Sequence, residues 1–218
     1  MEKDWLCQDE QNPDLVIFML GWAATPNAVC HITPPGCDVL VCHNHSGAPE
    51  VLQAVDFARY RRIYLFAWSF GVWVAEQSCR ELPLYRAIAF NGTPYPVDPR
   101  WGMRLKVVLR SMQSIARNGG ENSFAASGAA AEGRYIPAGP YPDRSAQEKV
   151  DELLNLAERA KAHSAPHLTW DRAYIADKDE IFPPTRMRDY WGNVGLGTEF
   201  DSYHYPFTDA GLVLNEID

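Results

Sequence analysis

The segment Arg62-Ile63-Tyr64-Leu65-Phe66-Ala67-Trp68-Ser69-Phe70-Gly71-Val72-Trp73-Val74-Ala75 constrains the fold of this chain more than any other. It begins as a continuous apolar run, which suits a strand covered on both faces of a parallel sheet. Beyond Ser69 it runs on through Glu76 and Gln77 as a helix start. A serine between small residues at a strand-to-helix turn has the layout of a nucleophile elbow, usually G-x-S-x-G. Here it reads Ala67-Trp68-Ser69-Phe70-Gly71, with alanine at the first position. The small residues matter because the turn is tight and the two backbones approach closely. The helix would direct its N-terminal amides and dipole at charge developing near Ser69. The bland alternative is a buried serine in an ordinary strand–helix turn.

A chain of 218 residues is a single domain by default, with room for a sizeable core. Hydrophobic content of 46% and charged content of 22% fit a soluble globular protein. The net charge of −8 argues against a general nucleic-acid or anionic-membrane binder. Apolar runs are strand-length, too short to cross a bilayer. Met1-Glu2-Lys3-Asp4 is charged and lacks a signal-peptide pattern, so a cytoplasmic location is expected. The five cysteines (Cys7, Cys30, Cys37, Cys42, Cys79) have no framework spacing and read as reduced thiols.

Along the chain, Asp14 to Trp22 reads as a buried strand entering a loop, with a short edge strand near Trp5-Leu6 before it. Cys37 to Cys42 is a second core strand, and Pro49 to Tyr60 reads as a short helix. The elbow strand and its helix follow, then a strand from Tyr85 to Thr93 ended by Pro94-Tyr95-Pro96. Strands alternating with helices imply a parallel sheet with right-handed crossovers. Between Asp98 and about Pro166 the strand signal stops. Trp101, Leu105, Val108, Met112 and Ile115 recur at the spacing of an amphipathic helix. Residues 118–143 are rich in glycine and alanine and read as a mobile connection, and Glu148 to His163 is a second helix. This insertion, 98–166, is expected to form a helical lid. The core then resumes with a strand over Arg172 to Ala176, a helix from Thr185 to Trp191 after a proline start, a short strand over Thr198 to Tyr203, and a final helix from about Phe207 to Leu214.

A serine hydroxyl is a weak nucleophile until a base takes its proton and a third group orients that base. In the α/β-hydrolase order the acid and the histidine follow the serine. The chain offers Ser69, then Asp179 in a loop after a strand, then His204 in a loop after the last strand. Asp177 competes as the acid; Asp179 is preferred because Asp179-x-Ile181-x-Pro183 resembles the D-x-[IV]-x-P loop common in that superfamily. His204 alone would read as a surface histidine, but the ordered set of three points to a triad. An oxyanion hole needs two amides. Phe70, directly after the serine, offers one, and Trp22 in the Gly21-Trp22-Ala23 loop offers the other, with its ring as a wall of the acyl pocket.

Cys37, Cys42, His43 and His45 match no standard zinc spacing, so no metal is expected. Lys106, Arg110 and Arg117 fall together on a helical projection, opposite the apolar seam. Residues 98–134 hold six basic residues against three acidic ones, in a chain that is acidic overall. A solvated helix face is the plain account; a docking surface for an acidic partner is the sharper one.

Gly21-Trp22, the Ala67-to-Trp73 elbow, Ala89-Phe90-Asn91-Gly92-Thr93-Pro94, the Asp179-to-Pro183 loop and His204-Tyr205-Pro206-Phe207 together resemble the BioG family, the pimeloyl-[acyl-carrier protein] methyl ester esterases of biotin synthesis. The resemblance covers most of the chain and is weakest over 118–143. It implies a single α/β-hydrolase domain (1–218), a mostly parallel central sheet flanked by helices, with Ser69, Asp179 and His204 as triad. It also implies hydrolysis of a methyl ester at the far end of an acyl chain held on a carrier protein, without a cofactor. Acyl carrier proteins are acidic, which gives the basic stripe a candidate partner. The departures are Ala23, where a glycine is common, and His43-Asn44-His45 after the second strand. The rival readings are a general short-chain esterase or thioesterase on free small substrates, and a non-catalytic binding module that keeps the elbow.

Overall fold

A computed structural model of the chain describes residues 1–47, 49–118, 140–161 and 166–218. Seven strands form one sheet: β1 (Glu2–Cys7), β2 (Asp14–Met19), β3 (Cys37–His43), β4 (Arg62–Trp68), β5 (Arg86–Phe90), β6 (Arg172–Ala176) and β7 (Gly197–Phe200). Their order is β1-β3-β2-β4-β5-β6-β7, and only β1 runs antiparallel to its neighbour. Among the described residues the α-helices are α1 (Phe70–Ser78), α2 (Leu105–Asn118), α3 (Ala146–Ala160), α4 (Pro184–Asn193) and α5 (Gly211–Leu214).

The apolar runs of β2, β3 and β4 are continuous because both faces are covered. Leu15, Ile17, Met19, Leu65 and Ala67 point into one core, with Val72 and Trp73 of α1, Val108 and Met112 of α2, Leu153 and Leu156 of α3, and Trp191 of α4. Val16, Phe18, Tyr64, Phe66 and Trp68 point into the other, closed by Ala28, Val29, Ile32, Phe207 and Val213. The period-two alternation of a strand thus splits one sequence run between two cores. The outermost strands are less apolar: β1 carries Glu2, Lys3 and Asp4, and β7 is four residues long and mostly exposed, devices that discourage edge pairing.

Two expectations are corrected. Residues 49–60 are not one helix but two 3-10 turns, Pro49–Ala54 and Phe57–Arg59. The segment is pinned by separate contacts: Leu52 is buried, and Tyr60 Oη and Arg59 Nη2 both donate to Asp38 Oδ2 at 2.7 Å. Trp101 does not begin the helical seam. Asp98 Oδ1 accepts from the Arg100 and Trp101 amides and turns the chain there, and α2 starts only at Leu105, which is exposed. Val108 and Met112 are the buried part of the seam; Ile115 lies beyond the described side chains. The connection expected over 118–143 falls outside the described residues from 119 to 139.

α1 crosses the sheet closely at Gly71. A Cβ there would collide with Met19 O and sit 2.6 Å from Leu20 O. Alanine is normally favoured over glycine inside a helix by about 1 kcal/mol. Here the backbone clash should win: Gly71→Ala is expected to lower unfolding stability by about 2–4 kcal/mol. Urea melts check this, and a more stable variant would contradict the packing described.

Candidate active site

β4 ends at Trp68 and α1 begins at Phe70, so Ser69 takes the whole reversal, at φ 58° and ψ −126°. The turn is fixed by Ser69 N–H donating to Phe90 O at 2.9 Å and by Val72 N–H donating to Ser69 O at 3.1 Å. Phe70 is the first residue of the helix, so its own amide has no carbonyl partner within the helix. The loop leaving β2 passes beside the serine: a Cβ on Gly21 would stand 2.9 Å from Ser69 Cβ.

His204 comes from the loop after β7, far along the chain. Its Nε2 lies 3.0 Å from Ser69 Oγ and its Nδ1 2.7 Å from Asp179 Oδ2. The second oxygen of Asp179 accepts from the Ile181 and Phe182 amides, each at 2.8 Å. That local turn is why the Asp-x-Ile-x-Pro spacing works: the carboxylate is locked by its own loop with one oxygen left for the ring. Asp177 is exposed and its Oδ1 accepts from Ser202 N–H at 3.3 Å. Of the two carboxylates, Asp179 is the one that reaches His204. Ser69, His204 and Asp179 are 0%, 2% and 5% exposed, so the array is enclosed by protein. The arrangement can take a proton from Ser69 and hold the resulting imidazolium against a carboxylate.

Two residues overlooked in the sequence hold the histidine loop. Trp68 Nε1 donates to His204 O at 2.8 Å. Asn91 Nδ2 donates to His204 O at 2.9 Å and to Tyr203 O at 3.2 Å, while its Oδ1 accepts from Ala176 N–H at 2.8 Å. Asn91 sits at φ 45°, a region asparagine tolerates better than most residues. A polar side chain at the carboxyl end of a buried strand, inside Asn-Gly-Thr-Pro, was the readable signal.

The loop that carries Trp22 is gripped from below. His45 Nε2 donates to Leu20 O at 2.7 Å, and Trp22 Nε1 donates to Lys149 O at 2.6 Å. The Trp22 ring is therefore buried under α3. Glu152 of α3 is 0% exposed and accepts from the amides of Ala23 (3.0 Å) and His45 (2.7 Å) as well as from Arg144. An acid on the Glu152-Leu153-Leu156 face of an amphipathic helix was the legible clue to it.

The residues weighed for a metal go elsewhere. Cys37 and Cys42 are buried, and burial pushes their thiols up to about 11 and about 12. His43 Nε2 pairs with Asp4 at 2.6 Å. Among the described residues no three His, Cys, Asp or Glu side chains group as a metal site. All five cysteines are free thiols. On α2, Lys106 and Arg110 are exposed, as is Arg104 just ahead of the helix; Arg117 lies beyond the described side chains.

Fold and site together define the class: the chain is an α/β-hydrolase. A family model described as the pimeloyl-ACP methyl esterase BioG matches residues 1–211, and the chain belongs to that BioG family. The crystal structure of BioG from Haemophilus influenzae is similar at a TM-score of 0.78 and 27% identity, over 95% of each chain. An uncharacterized protein of Haemophilus influenzae is 30% identical over 206 residues, 92% of both chains. A malonyl-[acyl-carrier protein] O-methyltransferase of Bacteroides fragilis is 28% identical over 203 residues, 88% of this chain and 39% of that one.

Burial pushes His45 down to about 4 from 6.5, so the fold holds it neutral. The unfolded chain takes up this proton more readily, so stability is full above about pH 6.5 and falls towards pH 4, by about 3 kcal/mol in all. Melts of wild type and His45→Gln at pH 7, 5.5 and 4.5 read His45's share. The gap between them should shrink as pH falls; parallel profiles would contradict a buried neutral imidazole.

Proposed function

We propose that the chain is a serine carboxylesterase that hydrolyses the methyl ester of pimeloyl-[acyl-carrier protein], releasing methanol and the free acid on its carrier. The observation that carries this reading is the buried Ser69–His204–Asp179 array in a member of the BioG family. Ser69 Oγ attacks the ester carbonyl while His204 Nε2 takes its proton, and Asp179 holds the ring through Nδ1–H. The amides of Trp22 and Phe70 stabilise the oxyanion. Methanol departs with the proton from His204, water attacks the acyl-enzyme by the reverse path, and the carboxylate product leaves. A relative named for O-methylation of malonyl-[acyl-carrier protein] supports a carrier-bound methyl ester as the substrate class.

Purified protein should release methanol from carrier-bound pimeloyl methyl ester, and Ser69→Ala should abolish this while staying folded. Asp179→Asn should cost on the order of ten-thousand-fold in kcat, and Asp177→Asn little. Undiminished turnover by the Ser69 variant would end the serine mechanism; the opposite ranking of the two aspartates would move the acid to Asp177.

The carrier docks, in this reading, on the insertion acting as a lid. Lys106 and Arg110 are exposed on α2, Arg117 shares their projected face, and an acidic carrier would be steered to them. Replacing all three with alanine should lower kcat/KM for the carrier-bound ester and flatten its dependence on salt. Hydrolysis of a small free ester should change little. Equal loss of both activities would make the stripe structural, and no change would place the docking surface elsewhere.

A further inference from the structure

We propose that Glu152 is a positioning residue for the oxyanion loop: its buried carboxylate holds Ala23 so that the Trp22 amide faces Ser69, and the seating of α3 sets that geometry. The inference rests on the proposed serine mechanism, in which Ser69 attacks and the amides of Trp22 and Phe70 receive the oxyanion. Four contacts carry it, and all end on the four-residue stretch 20–23 or on the groups holding it. Glu152 Oε2 accepts from Ala23 N–H at 3.0 Å, and Oε1 accepts from His45 N–H at 2.7 Å. His45 in turn fixes Leu20 O at 2.7 Å. Lys149, three residues before Glu152 and on the same helical face, accepts the Trp22 indole N–H at 2.6 Å.

The backbone shows what the carboxylate does. Ala23 stands at φ 63°, a conformation an alanine avoids and glycine adopts without strain. Such a residue persists only where its surroundings over-determine it. The Glu152 bond to Ala23 N–H does so together with the turn bond from Ala24 N–H to Gly21 O at 3.4 Å, and the two fix the peptide planes after and before Trp22. Arg144, largely buried itself, keeps the Glu152 charge compensated. A buried ion pair gives little net stability against an apolar replacement. Its value here is geometric, and small displacements at a reacting centre cost rate.

The test compares Glu152→Gln with wild type, with Asp151→Asn as a control on the exposed side of the same helix. Glutamine keeps the shape but offers one acceptor where two amides need one each. A short methyl ester is the substrate, and two ligands are titrated: a trifluoromethyl ketone, whose hydrate-like adduct on Ser69 places an oxyanion in the hole, and the free acid product, which does not. The expected result is a kcat lower by roughly 10–100-fold, KM within about twofold, and ketone affinity lowered in step with kcat/KM. Affinity for the product acid should hold. Adding Ala23→Gly to Glu152→Gln should recover several-fold of the lost kcat, because glycine reaches φ 63° unaided; a residue needed only for folding would show no such rescue. Trp22→Phe, which removes the Lys149 tether and leaves Glu152, should lower kcat with KM unchanged, and it serves where Glu152→Gln does not fold. A folded Glu152→Gln with full kcat and full ketone affinity overturns the inference, as does a loss confined to KM, or a fully active Trp22→Phe where Glu152→Gln does not fold. Loss of the reading beneath it looks different: Ser69→Ala would then retain activity.

Discussion

The conformation of Ser69 is the constraint on which the rest of the structure depends. A non-glycine residue at φ 58° and ψ −126° costs about 1–3 kcal/mol and survives only if its surroundings insist on it. They do so from three sides. β4 is paired with β2 and β5, so the strand cannot shift. α1 is buried from Phe70 through Glu76 and pressed against the β2 carbonyls at Gly71, so the helix cannot lift. The Ser69 amide is bonded to Phe90 O, so the turn cannot relax between them. The reward for this strain is a hydroxyl held at the carboxyl edge of the sheet, beside the opening amides of a helix, where loops from β2, β5, β6 and β7 converge.

That convergence is made rigid by hydrogen bonds that run between loops rather than within them. Loops are mobile by default, yet the chain at His204 is tied on both sides. Its carbonyl accepts hydrogen bonds from Trp68 Nε1–H and Asn91 Nδ2–H, Tyr205 Oη donates to Ala28 O at 2.6 Å, and Phe207 is sealed in the second core. Asn91 also holds Ala176 at the end of β6, so the strand that leads to Asp179 and the loop that bears His204 share one side chain. Each bond is worth only about 1 kcal/mol net. Their effect is to hold the imidazole at hydrogen-bonding distance from both partners.

The parts legible in the sequence were those written in local pattern. Continuous apolar runs marked the strands, and Ser69, Asp179 and His204 were findable because each follows a strand end and their order matches a known one. What stayed hidden depends on partners distant in sequence. Trp101 has the right spacing for a helical seam, but it packs with Tyr95 and Tyr190 at centroid distances of 5.0 and 5.7 Å, a contact no periodicity encodes. Residues 49–60 lost their helix to the Asp38 carboxylate. His43 and His45, read as a departure and weighed as metal ligands, take separate structural partners, Asp4 and Leu20 O. Glu152 looks like one charge among many until the fold buries it against residues more than a hundred positions away.

The middle of the insertion and its return to the core are anchored by the same device. Glu76 of α1 is 1% exposed and takes the amides of His167 (2.5 Å) and Leu168 (2.9 Å) and the indole of Trp170 (2.7 Å), fixing the return to β6. Glu152 of α3 takes the amides of Ala23 and His45, fixing the middle of the insertion to the core. A buried carboxylate filled by fixed N–H donors is hard to unseat, because breaking one bond leaves charge with no water to replace it. The start of the insertion is held differently. Among the described side chains of α2, Val108 and Met112 are buried, while Leu105, Val107 and Leu109 remain 38–46% exposed beside Arg104, Lys106 and Arg110. Apolar contact is graded with area and carries no such penalty for partial separation. Among the described residues the insertion is thus held by buried polar bonds where α3 meets the loop over 20–23 and by apolar contact along α2, where the basic side chains stand exposed.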